Sequence, residues 1–118
     1  IRDVVFVKSE KLPVEKLWCI FLRNNNTIIG YKEITTGGLA GVAVDVRIVL
    51  REALLCSATG IVLVHNHPSG TNKPSFEDKE LTVRIERACR TMEIRLIDHV
   101  ILTSDDRAYY SFHESGEL

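Results

Sequence analysis

Four consecutive apolar residues, Ile61-Val62-Leu63-Val64, run directly into His65-Asn66-His67, and this stretch limits the fold more than any other part of the chain. The apolar run is too short for a helix and mostly β-branched, which favours extended backbone. It has no polar alternation, so neither side can face water, and it reads as a central strand covered on both faces. Leu17–Leu22, Leu-Trp-Cys-Ile-Phe-Leu, is a second run of the same kind. Two doubly covered strands require layers above and below them, which points to an α/β fold.

The remaining elements fit that class. Val4–Val7 reads as a short strand. Arg23-Asn24-Asn25-Asn26 reads as a turn, because Asn tolerates left-handed backbone, and Ile28–Ile34 then forms the second arm of a hairpin. Thr35-Thr36-Gly37-Gly38 is expected to break that arm. Asp45–Ala58 carries Val46, Val49, Leu50, Ala53 and Leu54 at helical spacing. A helix between two strands predicts a crossover that sets Ile61–Val64 parallel to its neighbour. His65–Gly70 reads as a loop held by Pro68 and Gly70. A second helix is expected from Pro74-Ser75 to about Met92, with Leu81, Ile85, Ala88 and Met92 as its apolar face. Ile94–Leu102 reads as a strand, Ser104–Asp106 as a turn and Ala108–Phe112 as a final strand.

A chain of 118 residues is expected to form one domain, 1–118, able to bury a core without staples. Fifteen basic and sixteen acidic side chains leave a net charge of −1, with Lys and Arg scattered. That balance gives little support to a strong electrostatic grip on DNA or on an anionic membrane. No stretch approaches the roughly twenty apolar residues of a membrane span. The sequence has no initiator Met and no signal peptide, and so reads as a fragment of something longer. Cys19, Cys56 and Cys89 are odd in number, far apart and set in apolar surroundings. They read as reduced thiols, which fits a cytoplasmic compartment.

Two histidines two apart on extended chain point the same way, so His65 and His67 can approach one ion together. They follow the central strand, at the end where open α/β sheets collect ligands. Imidazole suits zinc, and a carboxylate would complete a three-ligand site with one open position. Asp78 precedes Leu81, Thr82 and Ile85 by three, four and seven residues, and so shares the core-facing side of the second helix. A carboxylate there needs a partner or a cation. Ser75-x-x-Asp78 also reads as a capping box, with no ligand role at all.

The run His65-x-His67-Pro68, then Ser75 and Asp78, matches the JAMM (MPN+) metalloprotease signature in every spacing. The wider stretch resembles the RadC family of bacterial JAMM-type proteins, through Ile28–Gly38, Asp45–Ala53, Ile61–Gly70, Pro74–Thr82 and Leu96–Val100. The resemblance covers nearly everything from Val14 to Phe112 and implies a three-layer JAB/MPN fold, a mixed sheet flanked by helices. It implies zinc held by His65, His67 and Asp78, and Ser75 as a hydrogen-bond donor to the tetrahedral intermediate. The family's catalytic glutamate lies before the hairpin strand, the place taken by Glu15. It would deprotonate the attacking water and hand the proton to the leaving amine. Glu33, inside the hairpin, is the competing candidate. Only Lys8–Val14 separates the first strand from Glu15, where relatives usually carry a helix, and the family's small N-terminal helical domain does not appear in the sequence.

The activity so implied is zinc-dependent hydrolysis of a peptide or isopeptide bond, with an unidentified protein or peptide as substrate. The competing reading is a non-catalytic module associated with DNA repair. A structural or vestigial metal is a third. Asp98 and His99 could orient a ligand, or could be an Asp with a local donor and a His packed at the sheet surface. His113 lies near the terminus with no specific role expected. Trp18, Phe21 and Phe76 read as packing residues.

Overall fold

The computed structural model describes residues 15–36, 44–68, 71–103 and 109–118. The expected Val4–Val7 strand, the Gly37-Gly38 breaker and the Ser104–Asp106 turn lie outside those residues. The described chain is α/β, with strands β1 (Lys16–Leu22), β2 (Ile28–Thr36), β3 (Gly60–His67), β4 (Arg95–Thr103) and β5 (Tyr109–Ser111). Helix α1 (Val46–Leu55) lies between β2 and β3, and α2 (Phe76–Thr91) between β3 and β4. The strands form one mixed sheet in the order β2-β1-β3-β4-β5.

The two apolar runs occupy the interior of that sheet, as their lack of polar alternation demands. Every residue of β3 is buried, and every residue of β1 after Lys16. The β1–β2 hairpin turns at Asn26, which adopts φ 65°, and the turn closes through an Arg23 amide bond to the Thr27 carbonyl at 2.9 Å. The second arm runs to Thr36 rather than Ile34, because Thr35 and Thr36 still pair with Leu17 and Lys16.

Two expectations are corrected here. Strand β3 does not end at Val64. His65, Asn66 and His67 pair in parallel with Ile101, Leu102 and Thr103, so the histidines stand on the strand and not in a loop. Polarity marked the end of the apolar run but not of the hydrogen-bond ladder. The first crossover also fails to set β3 parallel to its neighbour. Strand β1 intervenes and pairs antiparallel with β3, whereas the parallel neighbour β4 is supplied by the second crossover, through α2.

Asp45 caps α1 by accepting from the Arg47 amide at 2.9 Å, and a left-handed Ser57 ends the helix before Ala58. Val49 and Ala53 are its buried residues, while Leu54 is exposed rather than packed. On α2 the buried stripe is Asp78, Leu81, Thr82, Ile85 and Cys89. Cys89 takes the place expected for Met92, which is 43% exposed, because the helix ends at Thr91 and Met92 is its C-cap. Both helices pack on one face of the sheet, against Leu17, Cys19, Ile61 and Leu63. The opposite face presents Trp18, Ile20, Leu22, Val62, Val64 and Leu102. Phe76 is 70% exposed and belongs to neither core. Among the described residues, no helix is long and apolar enough to cross a membrane.

The side chains of β3 alternate between these faces, so Ile61, Leu63, His65 and His67 look toward the helices. Leu63 is fully buried at the centre of that face. Leu63→Ala is expected to cost about 2–5 kcal/mol in urea unfolding. Leu55→Ala, at a position 74% exposed, should stay within about 0.5 kcal/mol. Burial and nearby Glu86 push the Cys89 thiol up to about 11, and burial raises Cys19 as well. Native protein at pH 8 should therefore take up iodoacetamide at half-buried Cys56 and spare Cys19 and Cys89, as read by mass spectrometry.

Candidate metal centre

Three elements deliver the side chains. The last three residues of β3 bring His65 and His67 to the helix-facing side. Helix α2 begins beside them and brings Asp78 in its first turn. Strand β1 enters from the other direction, with Leu17 opposite His65, which places Glu15 at the same end.

The two imidazoles meet through their Nε2 atoms, 2.9 Å apart. Asp78 spans both, with Oδ1 3.2 Å from His65 Nε2 and Oδ2 3.3 Å from His67 Nε2. Glu15 Oε1 lies 3.6 Å from His67 Nε2, and Glu15, His65 and His67 each offer a ligand atom within 4.8 Å of the others. His65, His67 and Asp78 are buried, with 1%, 6% and 3% exposure, while the Glu15 side chain is 26% exposed. Glu33 is not part of this cluster. It pairs with Lys16 Nζ at 3.3 Å and is 41% exposed.

Asp78 does what both sequence readings asked of it. Its Oδ2 accepts from the Ser75 amide at 2.8 Å, and Ser75 Oγ accepts from the Asp78 amide at 3.0 Å, a complete capping box. The same carboxylate still touches both rings. Burial alone would raise the Asp78 pKa, but hydrogen bonds from His65, His67 and the Ser75 amide hold it well below the ordinary carboxylate range. For His67, burial pulls the other way, yet Asp78, the Thr71 carbonyl and Glu15 together raise its pKa. His67 Nδ1 lies 2.9 Å from the Thr71 carbonyl oxygen. A carbonyl only accepts, so that nitrogen carries a proton and Nε2 is the atom that faces the cluster.

His99 is the residue that sequence reasoning undervalued. It is fully buried rather than set at the sheet surface. Its Nε2 lies 2.8 Å from His65 Nδ1 and its Nδ1 2.7 Å from Thr82 Oγ1. Burial, followed by the neighbouring His65, drives its pKa well below 6.5, so the ring is neutral. Thr82 on the buried stripe of α2 was the available signal, since a polar residue there needs a partner. Asp98, by contrast, has local donors, the Ser111 hydroxyl at 2.6 Å and the His113 amide at 3.0 Å. Asn66 reaches across to β1 and accepts from the Lys16 amide at 2.7 Å, tying down the residue next to Glu15.

Comparison with known proteins gives the family of the chain. The family model of the RadC-like JAB domain matches residues 1–117. This chain belongs to that family. The RadC-like domain is 42% identical over 106 residues to a UPF0758 protein of Flavobacterium johnsoniae, covering 90% of this chain and 45% of that one. It is 40% identical over 107 residues to a UPF0758 protein of Porphyromonas gingivalis, covering 91% of this chain and 47% of that one. It is 35% identical over 117 residues to the UPF0758 protein YfjY of Escherichia coli, covering 99% of this chain and 72% of that one. The chain thus spans about half the length of the first two relatives.

The capping box gives the RadC-like domain a measurable signature of its own. Ser75→Ala removes the acceptor of the Asp78 amide and should lower the unfolding free energy of the metal-free protein by about 1 kcal/mol, against a few tenths for Ser75→Gly. Denaturant unfolding of the two variants beside the parent checks this.

Proposed function

We propose that the RadC-like domain is a zinc-dependent hydrolase of peptide or isopeptide bonds, with His65, His67 and Asp78 holding the metal. One observation carries the reading: the contacts among these three side chains measure 2.9, 3.2 and 3.3 Å. Donors about 2.0–2.1 Å from a tetrahedral zinc lie about 3.3 Å from one another. The chemistry and spacing of these donors support a zinc site, and with Glu15, 3.6 Å from His67, reserved for proton transfer, three protein groups are left to hold the ion. Three ligands with an open position are the pattern of catalytic sites.

When bound, zinc supplies Lewis acidity toward water and toward the carbonyl oxygen of the scissile bond. The chain's own residues supply the rest. Glu15, half-buried at the mouth, takes a proton from the attacking water and returns it to the leaving amine nitrogen. The Ser75 hydroxyl accepts from the Asp78 amide, so its own hydrogen points elsewhere and can donate to the oxygen that gains charge in the transition state. The Asn66 bond to Lys16 fixes the backbone from which Glu15 reaches.

The test separates metal from catalysis. Wild type should purify with about one zinc per chain, and His65→Ala or Asp78→Ala should lose it. Glu15→Gln should keep the zinc and lose cleavage of a mixed peptide and ε-lysyl isopeptide panel by about 10²–10⁴-fold. Chelation should abolish turnover and leave the fold intact by circular dichroism. A zinc-loaded wild type that cleaves neither bond class would sink the hydrolase, and a chain that unfolds on chelation would make the metal structural.

A further inference from the structure

We infer that Asp98 is a positioning residue: its carboxylate grips the chain on both sides of Phe112 and so holds the Phe112 ring against His99, the imidazole that backs His65. This rests on the metal reading above and deepens it by naming what keeps the partner of one ligand in place.

Strand alternation sets up the arrangement. Asp98 and His99 are neighbours on β4, so their side chains leave the sheet on opposite faces. Asp98 pairs with Val62 and His99 with Leu63, which puts the carboxylate on the Val62 face and the imidazole on the helix-facing side. Strand β5 repeats the pattern. Ser111 lies opposite Val100, two residues along from Asp98 and on its face, so Phe112 is turned toward the helices with His99. The Phe112 amide donates to the His99 carbonyl at 3.1 Å, which sets the two residues side by side.

Asp98 closes this clamp from the far face. Its Oδ2 accepts from the Ser111 hydroxyl at 2.6 Å and its Oδ1 from the His113 amide at 3.0 Å. Those are the residues immediately before and after Phe112. Ser111 Oγ in turn accepts from the Glu114 amide at 3.0 Å, and the Glu117 amide closes the turn on the Phe112 carbonyl at 2.8 Å. Held in this way, Phe112 is 1% exposed although β5 is the outermost described strand on its side of the sheet. Its ring centroid lies 4.8 Å from that of His99 with the planes 7° apart, and Tyr110 meets it edge-on at 5.2 Å and 84°. The stack restrains the tilt of His99, whose Nε2 stands 2.8 Å from His65 Nδ1. A group bonded to the second nitrogen of a ligating imidazole sets the orientation of that ring. The carboxylate thus acts on the site from the other side of the sheet, through Phe112 and His99.

Asp98→Ala removes both acceptors, Asp98→Asn keeps an oxygen for the His113 amide, and Phe112→Leu keeps apolar bulk but loses the aromatic ring. In the nuclear magnetic resonance spectrum of the metal-free wild type, the stacked Phe112 should shift the ring protons of His99 upfield, and Phe112→Leu marks where they fall without it. Asp98→Ala should move them most of the way to that mark and move the ring protons of His65 with them, and Asp98→Asn should move both less. A role in stability alone would lower the unfolding midpoint and leave these native-state signals in place. Zinc affinity, measured by competition with a chelator, should fall about 10–100-fold in Asp98→Ala, and less in Asp98→Asn. His99 signals unmoved in Asp98→Ala would overturn the clamp. Moved His99 signals with His65 and zinc affinity unchanged would reduce Asp98 to a cap of the turn and overturn its reach to the site. A wild type that takes up no zinc would instead overturn the metal reading, and the two sets of ring signals would still judge the clamp. If Asp98→Ala fails to fold, Asp98→Asn and Ser111→Ala, each of which removes one of the two grips, decide by the same signals.

Discussion

A carboxylate buried to 3% exposure at the first turn of a helix is the constraint around which this domain is arranged. An ionised group taken out of water is costly unless other groups replace its hydration. Asp78 recovers that loss from the Ser75 amide and the two imidazole rings. Those partners are useful only if α2 starts beside the end of β3, and β3 ends there only if its ladder with β4 continues through His67. The positions of three elements are thus tied to one side chain.

The capping and site readings of Ser75-x-x-Asp78 looked like rivals in the sequence and are compatible in the structure. A carboxylate has two oxygens with about four lone-pair directions. One oxygen closes the capping box while still reaching His67, and the other meets His65. A helix start is also the end of the helix that favours negative charge, because its unpaired amides face outward there. The cap therefore helps to hold the carboxylate ionised and aimed, which a site dependent on that charge requires.

How much could be read from the letters depended on how local each signal was. The buried strands, the Asn turn, the helix starts at Asp45 and Ser75 and the grouping of His65, His67 and Asp78 rest on spacing within one or two elements, and these were legible. The end of β3 was not, because its last three residues are polar and only their pairing with Ile101, Leu102 and Thr103 keeps them extended. The parallel neighbour of β3 was hidden for a similar reason, since nothing in the α1 crossover reveals that β1 lies between β2 and β3. His99 was the largest gap. A lone histidine amid the mixed polarity of β4 looks like surface, and its importance rests on partners 34 and 17 residues away. Glu15 and Glu33 were separated by register. Glu33 pairs with Trp18 along the hairpin, and its side chain meets Lys16, whereas Glu15 stands just before β1 at the site end of the sheet.

The site draws on four separate elements: the approach to β1, the end of β3, the start of α2 and the middle of β4. Helix α2 is anchored by Leu81, Ile85 and Cys89, all fully buried, and the strands by their ladders. This differs from small domains whose few residues fold only around a metal. Here the core and the strand ladders set the spacing of these side chains. Against its burial, Asp78, the Thr71 carbonyl and Glu15 raise the pKa of His67. Side chains spaced in advance by a packed frame would leave the proposed ion little reorganisation to impose, and its binding energy would then go into the site rather than into folding.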